Sequence, residues 1–230
     1  MSRRSVAIRP EPGCTATVEA GRKMGLEIEA YPLFEVRPVR WEPPAADQVD
    51  GLLIGSANAL RHAGPGLAAF RGKPVFAVGE ATAAEAEGLG FTVAATGRGE
   101  LQALLDTIAG PLRLLRLTGV EHVPVLQPAG IEVEARICYD SAPRPMPASL
   151  AETLGERALV LLHSAVAARH FGAECDRLAI VRKSIGIAAL GPRIAAAAGE
   201  GWDRVRSASE PREAALLALA REMCHEPGGG

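Results

Sequence analysis

Three stretches of this chain recur in the same order, and that recurrence limits the possible fold more than any single motif. GLEIEA at residues 25–30 returns as GIEVEA at 130–135, each followed by an apolar run and an acid. GLLIGSA at 51–57 is echoed by LVLLHSA at 159–165, and VGEATAA at 78–84 by LGPRIAA at 190–196. Spacings this long exceed the roughly 20–50-residue period of solenoid arrays and point to a duplicated domain. A duplicated α/β unit would place two similar ligand-binding edges opposite each other, and function is expected between them.

The 230 residues suffice for two domains of about a hundred residues each. Hydrophobic residues make up 48% of the chain but aromatics only 4%, so the core must be Ala, Val, Leu and Ile. A net charge of −2, with no basic block, argues against a general nucleic-acid or membrane surface. The four cysteines (Cys14, Cys138, Cys175, Cys224) form no CxxC pair, which favours a reduced, cytoplasmic protein. The opening MSRRSV leads into a short strand rather than a secretion signal. No run approaches the roughly 20 apolar residues of a membrane span. The Pro-Gly-Gly-Gly end at 227–230 reads as a disordered tail.

Strands are expected at 6–8, 25–30, 52–54, 75–78 and 92–94, then at 112–117, 131–137, 159–162, 185–190 and 204–206. Helices are expected at 15–24, 57–70, 80–89 and 99–109, then at 120–128, 165–171, 193–198 and 211–223. Residues 31–39 stay extended, with Pro32 and Pro38 marking an edge or linker, and Pro143, Pro145 and Pro147 interrupt the chain like a second linker. Alternating strands and helices predict parallel sheets covered on both faces.

In such sheets ligands bind beyond the carboxyl ends of the strands, where helix N-termini favour anions. Here those turns carry Ser56, Ala57 and Asn58, then Gly79 and Thr82, Gly119, Ser164, and Gly191 with Arg193. Arg9 ends the first strand and Arg116 lies near the end of its counterpart. Taken singly, the serines, Thr82 and the glycines are explained as helix caps or turn residues. Their pairing across the echoes instead suggests caps lining one cleft, suited to a ligand with several carboxylates.

GxGxxG after the first strand, GxxxxGK[ST] and GxSxG are all absent, and the five histidines show no zinc spacing. His163, at a strand end, could face the cleft or be structural. Tyr139 aligns with Phe34, so one echo has a phenol where the other keeps a plain ring. A phenol can donate a proton to a leaving group, whereas a strand tyrosine at a domain edge needs no such role.

The ordered series LIGSANA at 53–59, VFAVGEATA at 75–83, residues 130–139, LLHS at 161–164 and LGP at 190–192 resembles uroporphyrinogen-III synthase, over residues 6 to about 223. That resemblance implies two similar parallel-sheet, flavodoxin-like α/β domains joined by a two-stranded linker. One would comprise 1–34 with 144–230, the other 38–140, with linkers near 35–37 and 141–143. The implied reaction takes linear hydroxymethylbilane, expels its hydroxyl as water and closes the macrocycle with the last pyrrole inverted. No cofactor or metal is implied. Tyr139 matches the family's linker tyrosine, the favoured candidate for assisting hydroxyl loss, and Ser56, Thr82 and Ser164 match polar cleft positions. Asn58 stands where some members have a basic residue. Arg193 follows Gly191-Pro192 where others carry threonines, and it would meet a carboxylate arm directly. The protein would be a monomer that could receive its substrate from the preceding pathway enzyme.

Two other classes remain. A non-enzymatic two-lobed binding protein for a polycarboxylate would use the same paired domains. A duplicated regulatory module would need a phosphoacceptor aspartate at a strand end, but Asp50 precedes its strand.

Overall fold

A computed structural model describes residues 3–225. The expected tail at 227–230 lies outside them. The chain divides into two compact units, one from Met1–Glu35 with Ala142–Gly230, the other from Val36–Ser141.

The first unit is built on β1 (Arg4–Ala7), β2 (Ile28–Ala30), β9 (Ala158–Leu162), β10 (Gly186–Ala189) and β11 (Arg204–Ser207). They pair in parallel in the order β11-β10-β9-β1-β2. Val6, Ala7, all of β9 and Ile187 through Ala189 are fully buried, as continuous apolar strands must be when both faces are covered. One face packs against α5 (Ala148–Gly155), α6 (Ala165–Arg177) and α7 (Pro192–Ala197) through Phe171, Leu150 and Trp202. The Phe171 and Trp202 rings stack at 5.4 Å. The other face meets α1 (Gly13–Lys23) and α8 (Glu213–His225) through Leu216, Leu217, Ala220 and Met223.

In the second unit β4 (Gly51–Ile54), β5 (Val75–Val78), β6 (Val93–Gly97), β7 (Leu112–Gly119) and β8 (Ile131–Pro143) pair in parallel. With β3 (Phe34–Pro38) at one edge, the order is β3-β8-β7-β4-β5-β6. Leu52, Ile54, Leu115 and Leu117 form one core layer with Phe70, α2 (Ala57–His62) and α3 (Glu80–Gly88). Leu53, Leu114 and Ile131 form the opposite layer under α4 (Leu101–Leu105). The pleat thus sends alternate β7 residues to opposite faces. No helix among the described residues is long and apolar enough to cross a membrane.

Several expectations need correction. Residues 120–128 form no helix: Pro124 lacks the N–H that a helix interior requires and its ring crowds the preceding turn. The helix expected at 57–70 ends at His62 and continues as a 3-10 segment, Gly64–Phe70, with Pro65 at its start. The strand expected to stop at residue 137 runs to Pro143. The proline-bearing stretch after it leads into α5, which the sequence reading passed over; Pro147 immediately precedes its first turn. Proline is tolerated there because the first N–H groups have no helical partner.

Candidate functional site

Two rows of candidate residues follow from the parallel topology, one in each unit. Along the carboxyl edge of the second unit's sheet the neighbouring strands β7, β4 and β5 end near Gly119, Ser56 and Gly79, and β8 passes Gly119 at Tyr139. Along that of the first unit, β10, β9 and β1 end near Gly191, Ser164 and Arg9.

Tyr139 owes its position to an irregularity in the β7–β8 ladder. Thr118 pairs with Ile137 but Gly119 pairs with Tyr139, so β8 carries one extra residue there. A bulge of this kind re-aims a side chain and accentuates local twist. Cys138 and Tyr139 both join the core layer of Leu115 and Leu117. The phenol ring occupies the space a side chain at residue 119 would fill: a Cβ there would sit 2.8 Å from Cε2 and Cζ and 3.1 Å from the hydroxyl. Only glycine leaves room for this ring. Burial pushes the phenol above its usual range, while the Ser56 hydroxyl and the Arg116 guanidinium pull it back. The net effect keeps the proton on the phenol at neutral pH. The His62 ring lies 6.4 Å away, and burial holds that imidazole below its usual range. Phe34, the aligned residue, is 5% exposed in the first unit's core and meets His170 edge-on at 5.1 Å.

Ser56 and Ser164 both cap helices. The Ser56 hydroxyl accepts from the Asn58 N–H at 3.3 Å and the Ser164 hydroxyl from the Ala167 N–H at 3.1 Å. These bonds satisfy one orphan donor per helix. Ala57 and Asn58 open α2 and Ala165 opens α6. Thr82, in the first turn of α3, is only 4% exposed. Gly79 precedes α3 with φ +80° and ψ 151°, a conformation essentially closed to other residues. Gly191, in the echoing position, has φ −168°, ordinary extended backbone. Pro192 and Arg193 begin α7 and are exposed.

Arg9 is engaged internally. Its guanidinium donates to Glu213 at 3.2 Å and to Thr17 at 3.5 Å, and the Thr17 hydroxyl donates to Glu213 at 2.6 Å. His163 Nε2 lies 3.0 Å from the same carboxylate. Burial holds His163 below its usual range, against the pull of Glu213. Its buried Nδ1 has no hydrogen-bond partner among the described residues. Burial would raise the Glu213 carboxyl, but His163, Thr17 and Arg9 outweigh it and hold it low.

The structure thus brings Tyr139, Ser56, Ala57, Asn58, Gly79 and Thr82 to one sheet edge, and Arg9, Ser164, Gly191 and Arg193 to another. Sequence reasoning gave no role to His62, Thr17 or Glu213. His62 carried a weak signal, lying six residues past Ser56 on a short helix. Thr17 and Glu213 carried none, because they meet only through folding across almost the whole chain.

No curated protein sequence matches the chain. Its fold is similar to the crystal structure of uroporphyrinogen-III synthetase from Helicobacter pylori 26695, at 19% identity and a TM-score of 0.64, over 96% of this chain and 99% of that one. A mutant uroporphyrinogen III synthase from the extremely thermophilic bacterium Thermus thermophilus is similar at 18% identity and a TM-score of 0.56, over 97% and 100%. Identities this low establish the fold. The sequence model of the uroporphyrinogen-III synthase HemD family matches residues 15–218. With a match that spans most of its length, the chain belongs to the uroporphyrinogen-III synthase family.

Proposed function

We infer that this chain cyclises hydroxymethylbilane to uroporphyrinogen III, with loss of water and inversion of the terminal pyrrole, and that Tyr139 assists the departing hydroxyl. Family membership makes it a cyclising lyase of heme biosynthesis acting on a small tetrapyrrole; the non-enzymatic binding protein is not favoured.

The observation that carries the assignment to Tyr139 is a phenol kept protonated by burial, at a sheet edge among helix starts. The substrate supplies the push: a pyrrole nitrogen expels the hydroxyl to give an azafulvene. The substituted α-carbon of the last pyrrole then attacks the electrophilic methylene carbon of the azafulvene, and the resulting spiro intermediate fragments and recloses. Hydroxide is a poor leaving group, so a donor that delivers a proton as the C–O bond breaks lowers the barrier. A phenol does this and can take a proton back when the closed ring loses one.

The acetate and propionate arms need anion recognition without a strongly basic protein. The N-termini of α3 and α6, 9 and 13 residues long, offer free N–H groups and the positive end of the helix dipole. Ser56, Ala57, Asn58, Gly79 and Thr82 in one unit, with Ser164, Gly191, Arg193 and Arg9 in the other, are the proposed contacts. On the same reading the two units descend from an internal duplication, linked by the strands near 35–37 and 141–143. The enzyme is a cytoplasmic monomer that could take its substrate from the preceding pathway enzyme. Four buried, free thiols accord with a reducing compartment.

The test is incubation with freshly made hydroxymethylbilane and separation of the ring isomers. Spontaneous closure gives the type I isomer, so type III product supports the assignment and type I alone removes it.

A further inference from the structure

Arg116 is a buried cation without a counter-charge. It lies on β7 between Leu53 of β4 and Ala135 of β8 and is 6% exposed. Strand alternation puts it on the face of Leu114, whose neighbours Leu53, Leu104 and Leu105 are apolar. Other shielded arginines are neutralised: Arg3 pairs with Asp203, Arg9 with Glu213, Arg61 with Glu85 and Arg182 with Asp176. Arg116 makes no ion pair or hydrogen bond among the described residues. Burial lowers its pKa, and the nearby Tyr139 phenol is the only group acting the other way. A guanidinium keeps its proton even so.

A leucine would complete this apolar layer more cheaply, because a buried charge without a partner is among the costliest features a fold can hold. The cost is intelligible if an anion arrives from outside. Unpartnered side-chain nitrogens sealed from solvent occur at Arg3 and His163 but not at Arg116, so its fork remains reachable. It stands three residues before Gly119, toward the carboxyl end of β7, near enough for the Tyr139 phenol to act on it although that ring packs on the opposite face. The irregular segment 120–128 follows directly, with Val120, Val123 and Leu126 exposed.

We propose that Arg116 binds one carboxylate arm of the tetrapyrrole, its planar fork meeting both carboxylate oxygens. The inference rests on the synthase function above. It adds a buried guanidinium to a recognition scheme otherwise drawn from helix N-termini, polar caps and the arginines Arg9 and Arg193.

The test compares Arg116→Met and Arg116→Gln with the wild-type enzyme, by thermal melting, by KM and kcat for type III product, and by affinity for uroporphyrin III. Both variants keep much of the length of the side chain and remove its charge. They should melt at or above the wild-type temperature, while KM rises and product affinity falls about 10- to 100-fold, a tenfold step being one lost interaction of about 1.4 kcal/mol. Arg116→Lys should recover part of the affinity. Unchanged KM and product affinity in folded variants would overturn the proposal. So would failure of both neutral variants to fold, since the guanidinium would then be holding the fold. Type I product alone from the wild-type enzyme would instead remove the synthase function, before any variant is made.

Discussion

Replacing Gly119 with alanine separates where the Tyr139 phenol sits from whether it is present. The new methyl would lie 2.8 Å from two ring carbons, about 0.6 Å inside the 3.4 Å at which ordinary contact begins. Gly119 is not among the residues with positive φ, so alanine strains no backbone and the ring must yield instead. Overpacking of this size costs about 1–3 kcal/mol of stability. A reacting group misplaced by about 1 Å can lose 10²-fold in rate, so a shift of half that should cost roughly tenfold. Tyr139→Phe should cost up to about 10²-fold, the low end for a lost general acid, because the substrate expels its own hydroxyl. The decisive comparison is the double variant. Without the hydroxyl there is nothing left to misplace, so Gly119→Ala should no longer lower turnover while still lowering the melting temperature. That amounts to a coupling of about 1.4 kcal/mol in activation free energy. Initial rates of type III formation and thermal melts of the four proteins supply the cycle. Equal tenfold losses with and without Tyr139→Phe would refute the reasoning, as would wild-type turnover in a destabilised Gly119→Ala enzyme.

Glu174 accepts the Met146 N–H at 2.6 Å and pairs with Arg177 at 2.7 Å, and chiefly the arginine pushes its carboxyl down to about 2. A depressed carboxyl stabilises the fold above its ordinary value of 4.5 and loses that contribution as pH falls toward 2. Glu174→Gln should therefore cost about 1–3 kcal/mol at pH 7, and the gap from wild type should close across that window; a gap independent of pH would show that charge is not involved. At α6, Ala165→Pro removes a first-turn N–H without breaking the helix. It should weaken binding of uroporphyrin III at least as much as Ser164→Ala, with circular dichroism unchanged, whereas the reverse order would make the hydroxyl the ligand. Burial raises the Cys14 and Cys138 thiols to about 11 and Cys175 to about 12. Native protein at about pH 8 should accordingly alkylate these three far more slowly than unfolded protein, and equal rates would contradict their burial.

The strands were legible in the sequence wherever one residue pattern admits one structure. A four-residue apolar run between a proline and a glycine, as at Val75–Val78, has no better home than a buried parallel strand, and β5 occupies those residues. Failures came where proline was the signal. At 143–147 it predicts a break, yet β8 runs through Pro143 and α5 starts beside Pro147, since strand ends and first turns both tolerate the missing N–H. At 120–128 the apolar pattern predicts a helix, but Pro124 falls in its interior and the segment stays irregular. Tyr139 could be singled out because its aligned partner is Phe34, a difference visible in one dimension. The bulge that aims it, its seat on Gly119 and the isolation of Arg116 could not be read, because each depends on which strand lies beside β7.

The echoed residues diverge in a consistent direction. Arg9 and Arg116 both stand toward the carboxyl ends of strands, but Arg9 is tied to Glu213 and Thr17, whereas Arg116 has no partner among the described residues. Phe34 and Tyr139 align, but Phe34 is sealed in its core, whereas Tyr139 is half-buried and carries a hydroxyl. Gly79 needs its glycine and Gly191 does not. In every pair the member with a demanding or uncompensated environment belongs to residues 36–141. Strain and unpaired charge persist only where something offsets them, commonly a ligand or a reaction. Phe34 has instead settled into packing, and Arg9 into internal hydrogen bonds. Side-chain substitutions along the β8-β7-β4-β5 edge should therefore fall mainly on turnover and affinity, and those at Thr17, His163 and Glu213 mainly on stability.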